Sequence, residues 1–331
     1  MTAKSGDPIA AFWTWWKTAR ADVERALEAR DVSPLVPAIT AHVQAIDVGL
    51  KWELGGTADA LEFALAWEGD LRRRRLAQHW VDAAPKSTKW TYLPARPAKK
   101  GWADMTLEMG PHTIALGDFV CKVSIDTERN RANVTLFHAA LAKAPDNVKT
   151  NVLFLMLDSA LGEDGVERYL GTVEFAKTKP KGAVEVSELV KAVKKLERAS
   201  KKENFALLQG TRDELPLFVM KDMGLKQIDH LEFDAELAIS MGLAEITQDG
   251  LPTKAESVTL DKLEDSLIEK LGEDAVYHGR ETCDGARTLF FFVSLDGKAL
   301  AKATAWKAKQ KRAVELVVEA DPTWERLRRW G

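Results

Sequence analysis

Asp284-Gly285 separates two runs of strand-forming residues, 275–282 and 287–295. A two-residue Asp-Gly link supplies the left-handed backbone that matches the twist of paired strands, so it predicts a tight hairpin. Upstream, Leu260, Leu263, Leu267 and Leu271 recur at helical spacing and stop at Gly272, with Asp261, Glu264 and Asp265 in the same segment. Glycine just past the last periodic residue ends a helix. Before that helix, Leu231, Phe233, Ala235, Leu237 and Ile239 alternate with Glu232, Asp234 and Glu236, the period of a half-buried strand. A helix over 298–310 and a strand over 314–318 follow the hairpin. The order β-α-β-β-α-β predicts a ferredoxin-like C-terminal domain.

With Asp284-Gly285 as the turn, cross-strand partners have numbers summing to about 569. Tyr277 then faces Phe292 and Gly279 faces Phe290 on one side, while Val276 faces Val293, His278 faces Phe291 and Arg280 faces Leu289 on the other. Both faces carry large apolar groups, and two helices cover only one. The second face is therefore expected to be covered by residues 204–223, by the N-terminal part or by a second protomer, with Tyr277, Phe290 and Phe292 as candidate interface residues.

The N-terminal part reads as an α+β domain, mostly antiparallel sheet with flanking helices. Ile9, Phe12, Trp13, Trp16, Val23 and Leu27 form one helical stripe after Asp7-Pro8. Core packing explains such an aromatic stripe better than a ligand box. Leu50, Trp52 and Leu54, then Leu61, Phe63, Leu65 and Trp67, alternate on either side of Gly55-Gly56, which is expected to turn the chain. A helix over 71–83 and strands near 89–93, 105–109, 113–116, 119–125, 132–138 and 171–175 follow. The helix over 145–161 is apolar all round at Val152-Leu-Phe-Leu-Met-Leu157 and should be covered on more than one side. The expected division is residues 1–180, a basic linker helix over 181–203, and 204–331.

Composition narrows the class further. The chain has 331 residues, 46% hydrophobic and 29% charged, with a net charge of −3. That is an ordinary globular composition with no global attraction to nucleic acid or anionic membrane. Cys121 and Cys283 are too far apart for a metal or redox motif. No signal-like leader is visible, so a reducing cytoplasm is expected.

Gly250-Leu-Pro-Thr253, Leu263-Glu-Asp265, Gly279-Arg-Glu-Thr282, Gly285-Ala-Arg287 and Asp321-Pro-Thr-Trp324 occur in order. In these motifs the C-terminal part resembles the bacterial family called domain of unknown function 695. Phe290-Phe-Phe-Val293 departs from it, where tyrosines are expected. Phe12-Trp13, Arg96-Pro97 and Leu161-Gly-Glu163 resemble the uncharacterised segment that often precedes such domains. The family brings no catalytic residues to carry over, and fold alone confers no function.

Chemistry-bearing motifs are scarce. The sequence has no phosphate-cradling glycine loop, no nucleophile elbow and no histidine spacing for a metal, so no cofactor and no metal are expected. Cys121 and His138 fall near one another across a predicted hairpin, and a thiol beside an imidazole could be catalytic. A buried cysteine near a satisfied histidine is the commoner arrangement. Residues 70–102 hold nine basic and two acidic groups, with Arg72, Arg73, Arg74, Arg75 and Arg96 among Trp80, Trp90 and Trp102. That interleaving suits single-stranded nucleic acid or an acidic protein surface, although a solvated helix face over core tryptophans explains it more simply. The leading expectation is a non-catalytic cytoplasmic protein that binds another protein. The alternatives are an enzyme of unrecognised class with an inter-domain pocket, marked by a polar cleft with perturbed titratable groups, or a nucleic-acid binder through residues 72–100.

Overall fold

The computed structural model describes residues 6–109, 112–199 and 204–330. It divides the chain into two compact units, Met1–Ser200 and Lys201–Gly331. Among the described residues, no helix is long and apolar enough to cross a membrane.

The first unit opens with α1 (Pro8–Glu28), whose Asp7 side chain accepts from Ile9 N at 3.0 Å. Its stripe buries Phe12, Trp13, Trp16 and Val23. Next come α2 (Val36–Gln44), β1 (Lys51–Thr57), β2 (Ala60–Ala66), α3 (Leu71–Asp82) and β3 (Trp90–Leu93). The strands form a sheet in the order β1-β2-β3, antiparallel then parallel, with α3 as the crossover. The turn is Ala58-Asp59, three residues later than Gly55-Gly56, which lie inside β1 opposite Glu62 and Leu61. Gly56 has φ +91°, and a Cβ there would sit 2.0 Å from the Ala60 carbonyl oxygen. Phe12, Trp13, Trp16, Phe63, Trp80 and Tyr92 interlock mostly edge to face, so the tryptophan stripe is core.

The unit continues with β4 (Thr106–Met109), β5 (His112–Ala115), β6 (Val120–Asp126), β7 (Arg131–Phe137), α4 (Asp146–Leu161), α5 (Glu163–Tyr169), β8 (Leu170–Phe175), β9 (Val184–Glu185) and α6 (Val186–Ala199). A second sheet has the order β8-β7-β6-β9. Val186, Leu189, Val193 and Leu196 of α6 are buried in the same core as Cys121, Val134, Leu136, Leu157 and Leu170. The helix expected as a linker is therefore packed into the first unit, because its apolar stripe closes that core. One expectation for α4 fails: Phe154 and Leu155 remain 42% and 38% exposed.

The second unit contains β10 (Phe205–Arg212), β11 (Leu215–Asp222), β12 (Ala235–Gly242), α7 (Lys254–Leu271), β13 (Ala275–Cys283), β14 (Ala286–Val293), α8 (Ala299–Lys307) and β15 (Val314–Ala320). All six strands join one antiparallel sheet in the order β10-β11-β13-β14-β12-β15. Leu260, Leu267 and Leu271 of α7 and Ala303 and Trp306 of α8 share a core with Leu237, Ile239, Leu289, Phe291 and Val293. Residues 204–223 were a candidate cover for the second face. They pair at the sheet edge instead.

The predicted register holds from Cys283↔Ala286 to Gly279↔Phe290, then slips by one, with Tyr277 opposite Phe291 and Val276 opposite Phe292. His278 is the extra residue of this bulge, which moves Tyr277 to the helix side and leaves His278 with Phe290 and Phe292. Gly279 permits it: a Cβ there would lie 2.4 Å from the Met220 carbonyl oxygen. Gly279→Ala should therefore lower the melting temperature of the second unit clearly, on the order of 2 kcal/mol, in a thermal-unfolding series.

Candidate functional site

Two short helices build a cleft in the first unit. Asn151, Phe154, Leu155 and Asp158 follow the i, i+3, i+4, i+7 pattern on α4, and Glu163, Val166 and Glu167 repeat it on α5. With Trp67, Glu68, Gly69 and Arg96, these residues line a cavity of about 570 Å³. The corner between the helices is Gly162 at φ +75°, where a Cβ would crowd Ala98 N at 3.0 Å and the Arg96 carbonyl at 3.3 Å. Arg96 and the Leu161-Gly-Glu163 motif thus meet here.

Glu163 ties the cleft floor together. Its Oε1 accepts from the backbone N–H groups of Trp67 at 3.0 Å and Glu68 at 2.7 Å, and its Oε2 accepts from Arg96 N at 3.2 Å. Glu163 N in turn donates to the Arg96 carbonyl at 2.9 Å. The Glu68-Gly69 turn it holds has left-handed backbone, φ +51° at Glu68 and +74° at Gly69. The Arg96 guanidinium pairs with Glu53 at 2.8 Å, Glu68 at 3.0 Å and Asp158 at 2.9 Å. Asp164 takes Arg74 in a bidentate pair at 2.8 and 2.9 Å.

The balance of charge is acidic. Glu68, Asp158, Glu163 and Glu167 line the cleft against the single cation Arg96. Burial pushes the Glu163 carboxyl up to about 7, against the pull of its N–H donors and Arg96. Burial likewise pushes Asp158 up to about 6, with Arg96 pulling it down. Glu167 is also raised by burial, and Arg131 offsets that only partly. A cationic group entering this cleft would restore these carboxylates.

The other residues singled out from the sequence are placed differently. Arg72 pairs with Asp70 at 2.8 Å and Arg73 with Asp47 at 2.9 Å, while Arg74 lies buried on Asp164. Arg75 is half-buried on the same helix. Trp80 and Trp90 are buried, and Trp90 Nε1 donates to Glu24 at 2.8 Å. Arg72, Arg73, Arg74 and Arg96 of this run are thus held in ion pairs, and the buried Trp80 and Trp90 offer no stacking platform.

Cys121 sits opposite Leu136, its Sγ 3.7 Å from the Glu185 carbonyl, and burial pushes its thiol up to about 11. His138 contacts the Ala115 carbonyl at 3.2 Å, and its Nδ1 accepts from Ala140 N at 3.2 Å. Each has its own partner, and a raised thiol is the opposite of an activated one. The sequence reading missed Glu68, Phe154, Leu155, Asp158 and Glu167; the one visible signal was the apolar run on α4, expected to be covered on more than one side.

In the second unit, Tyr277 donates to Glu264 Oε1 at 2.7 Å beneath α7, and Arg287 pairs with Asp261 at 2.7 Å. Phe290 and Phe292 are 4% and 0% exposed. Residues 321–330 cover them from within the chain. Trp324 stacks on Phe292 at 3.8 Å between ring centroids, Trp330 meets Phe290 edge to face at 5.2 Å, and Arg329 lies 4.3 Å over the Phe290 ring. Residues 204–328 match the model of a family of unknown function, DUF695. They form a DUF695 domain. No curated protein and no solved structure matches the chain.

The DUF695 motifs named from the sequence prove to be structural joints. Thr253 Oγ1 caps α7 by accepting from Glu256 N at 3.2 Å, and Gly250 accepts from Gly285 N at 2.8 Å, tying the α7 approach to the hairpin turn. Gly279 makes the bulge. Asp321 accepts from Glu325 N and Arg326 N, both at 2.9 Å, and so folds the tail of the DUF695 domain over its sheet.

Proposed function

We propose that the protein is a non-catalytic cytoplasmic binding protein, and that the cleft of its first unit holds a lysine or arginine side chain of a partner protein. One observation carries this reading: Asp158 and Glu167, both raised by burial, stand beside Phe154 and Leu155, whose apolar side chains are more than a third exposed. An acidic cleft whose lining cation, Arg96, is shared among Glu53, Glu68 and Asp158, next to an exposed apolar pair, suits a basic residue flanked by apolar ones. Glu163 has a raised carboxyl but gives both oxygens to backbone N–H groups, which suits holding the cleft floor better than relaying protons. Buried, unpaired Cys121 and Cys283 suit a reducing compartment. The order β13-β14-β12-β15, with α7 and α8 as crossovers, supports reading the second unit as a ferredoxin-like arrangement widened by the β10–β11 hairpin.

Calorimetric titration with short peptides alternating lysine or arginine with leucine tests the reading. The wild-type chain should bind saturably and more weakly at high salt. Glu167→Gln combined with Phe154→Ser should weaken binding by roughly tenfold or more while leaving the circular dichroism unchanged. Equal binding of a glutamate-for-lysine peptide, or no binding at all, overturns it.

A further inference from the structure

The two edges of the six-stranded sheet are guarded differently. β15 carries Glu315 and Glu319, both exposed, with Glu319 paired to Arg326 at 2.6 Å, so a strand laid against this edge would meet charged side chains. β10, the opposite edge, has no charge from Phe205 to Thr211, no proline and no bulge. Its turn to β11 consists of Asp213 and Glu214 at φ +50° and +68°, closing the Arg212↔Leu215 pair. With that pair bonded across the turn, alternate residues Phe205, Leu207, Gln209 and Thr211 point their N–H and C=O groups away from β11. Leu207 stands on this outward row and is 74% exposed. It borders a shallow pocket of about 230 Å³ with Phe218, Met220, Leu251 and Pro252.

We infer that β10 is the docking edge for a second copy of this chain, paired antiparallel about a two-fold axis at Leu207. This goes beyond the proposed function and does not depend on it. The row chooses its occupant by being self-complementary. About that axis Leu207 meets its own image, Phe205 meets Gln209, and Ala206 meets Leu208, so each pair within residues 205–209 is apolar or neutral. Outward-pointing residues fall opposite outward-pointing residues, which the hydrogen-bond ladder requires. The most exposed leucine of the edge becomes the centre of the junction, and two six-stranded sheets become one continuous sheet.

Sedimentation of the full chain over a concentration series reads the outcome. The wild type should reach twice the chain mass. Leu207→Glu places two carboxylates opposite one another and should weaken the dimer by roughly a hundredfold. Its circular dichroism spectrum should stay that of the wild type, because the side chain is exposed in one copy. Val317→Glu, on the β15 edge where Val317 is 50% exposed, should leave the dimer intact. A wild type that stays monomeric overturns the inference, even if it binds an added extended peptide. So does a Leu207→Glu chain that still dimerises, or a Val317→Glu chain that does not.

Discussion

Replacing Glu163 by alanine should unfold the floor of the first unit. The side chain is 4% exposed and accepts three backbone hydrogen bonds, from Trp67, Glu68 and Arg96. Each donor left buried without an acceptor costs about 1–3 kcal/mol. Three of them give roughly 3–9 kcal/mol, a large share of the ~5–15 kcal/mol that holds a typical domain. The left-handed backbone at Glu68 loses its clamp as well. Hydrogen exchange should show loss of protection at residues 67, 68 and 96, and the melt should fall steeply. Glu163→Gln should fall in between, since its amide oxygen can serve the Trp67 and Glu68 donors while its NH2 group opposes Arg96 N. An alanine variant that melts within about 0.5 kcal/mol of wild type would sink the idea.

The same carboxyls predict opposite pH responses in the two units. Burial holds Glu163 at about 7 and Asp158 at about 6, both above their unfolded values of 4.5 and 3.8. The folded first unit therefore binds more protons than the unfolded chain across that interval. The stability these groups contribute is full below the unfolded values and is lost as pH rises through about 6 to 7. Protonation at Glu163 Oε2, which makes the longest of the three bonds, leaves the two at Oε1 in place. In the second unit, burial lowers His278, and Glu236 is lowered by its hydrogen bond to His278 and by Arg329 against the effect of burial. Both shifts have the other sign, so that unit loses stability as pH falls below the unfolded histidine value and then through the Glu236 range. Amide exchange on the full chain should thus show residues 67, 68 and 96 around Glu163 loosening from about pH 5 to about pH 7.5 while the strands around His278 tighten. Parallel trends in both units would contradict this.

What could be read from the sequence was local. Asp284-Gly285 places its turn because Asp284 and Gly285 take left-handed backbone, φ +45° and +69°. The Leu260–Leu271 spacing yields the buried face of α7 because helical period and burial coincide there. The slip at His278 had no periodic signature; Gly279 was its one trace, and its reason lies in Met220 on a different strand. The cleft was hidden for a related cause. Arg96, Asp158 and Glu163 are up to 67 positions apart, and hydrophobic patterning counts Phe154 and Leu155 as core whichever way they point. The covering of Phe290 and Phe292 was sound as an expectation of burial, but the cover is the tail, a segment with no helical or strand period of its own.

That tail gives the second large effect. Trp324→Ala should uncover the sheet face of the DUF695 domain. Trp324 is 3% exposed, lies flat on Phe292 with 5° between ring planes, and donates from Nε1 to the Phe233 carbonyl at 2.9 Å. Truncating a buried tryptophan costs about 3–5 kcal/mol. Around it, Arg329 and Arg326 hold Glu236 at 2.5 and 3.7 Å, and Arg326 also pairs with Glu319 at 2.6 Å. Glu236 in turn bonds His278 Nε2 at 3.0 Å, and His278 Nδ1 is buried with no partner. Without Trp324 the tail keeps only the Arg329 and Trp330 contacts at Phe290, so Phe292 and its neighbour His278 should meet water. A hydrophobic dye such as ANS should then bind at neutral pH, where the wild type binds little, and His278 should titrate nearer its ordinary value by NMR. Trp330→Ala, which removes the edge contact with Phe290 and the 3.2 Å bond to Glu281 but leaves Trp324 on Phe292, should give a smaller change in dye binding. Unchanged dye binding and an unchanged His278 titration in Trp324→Ala would mean that the face stays closed without the tail's central ring.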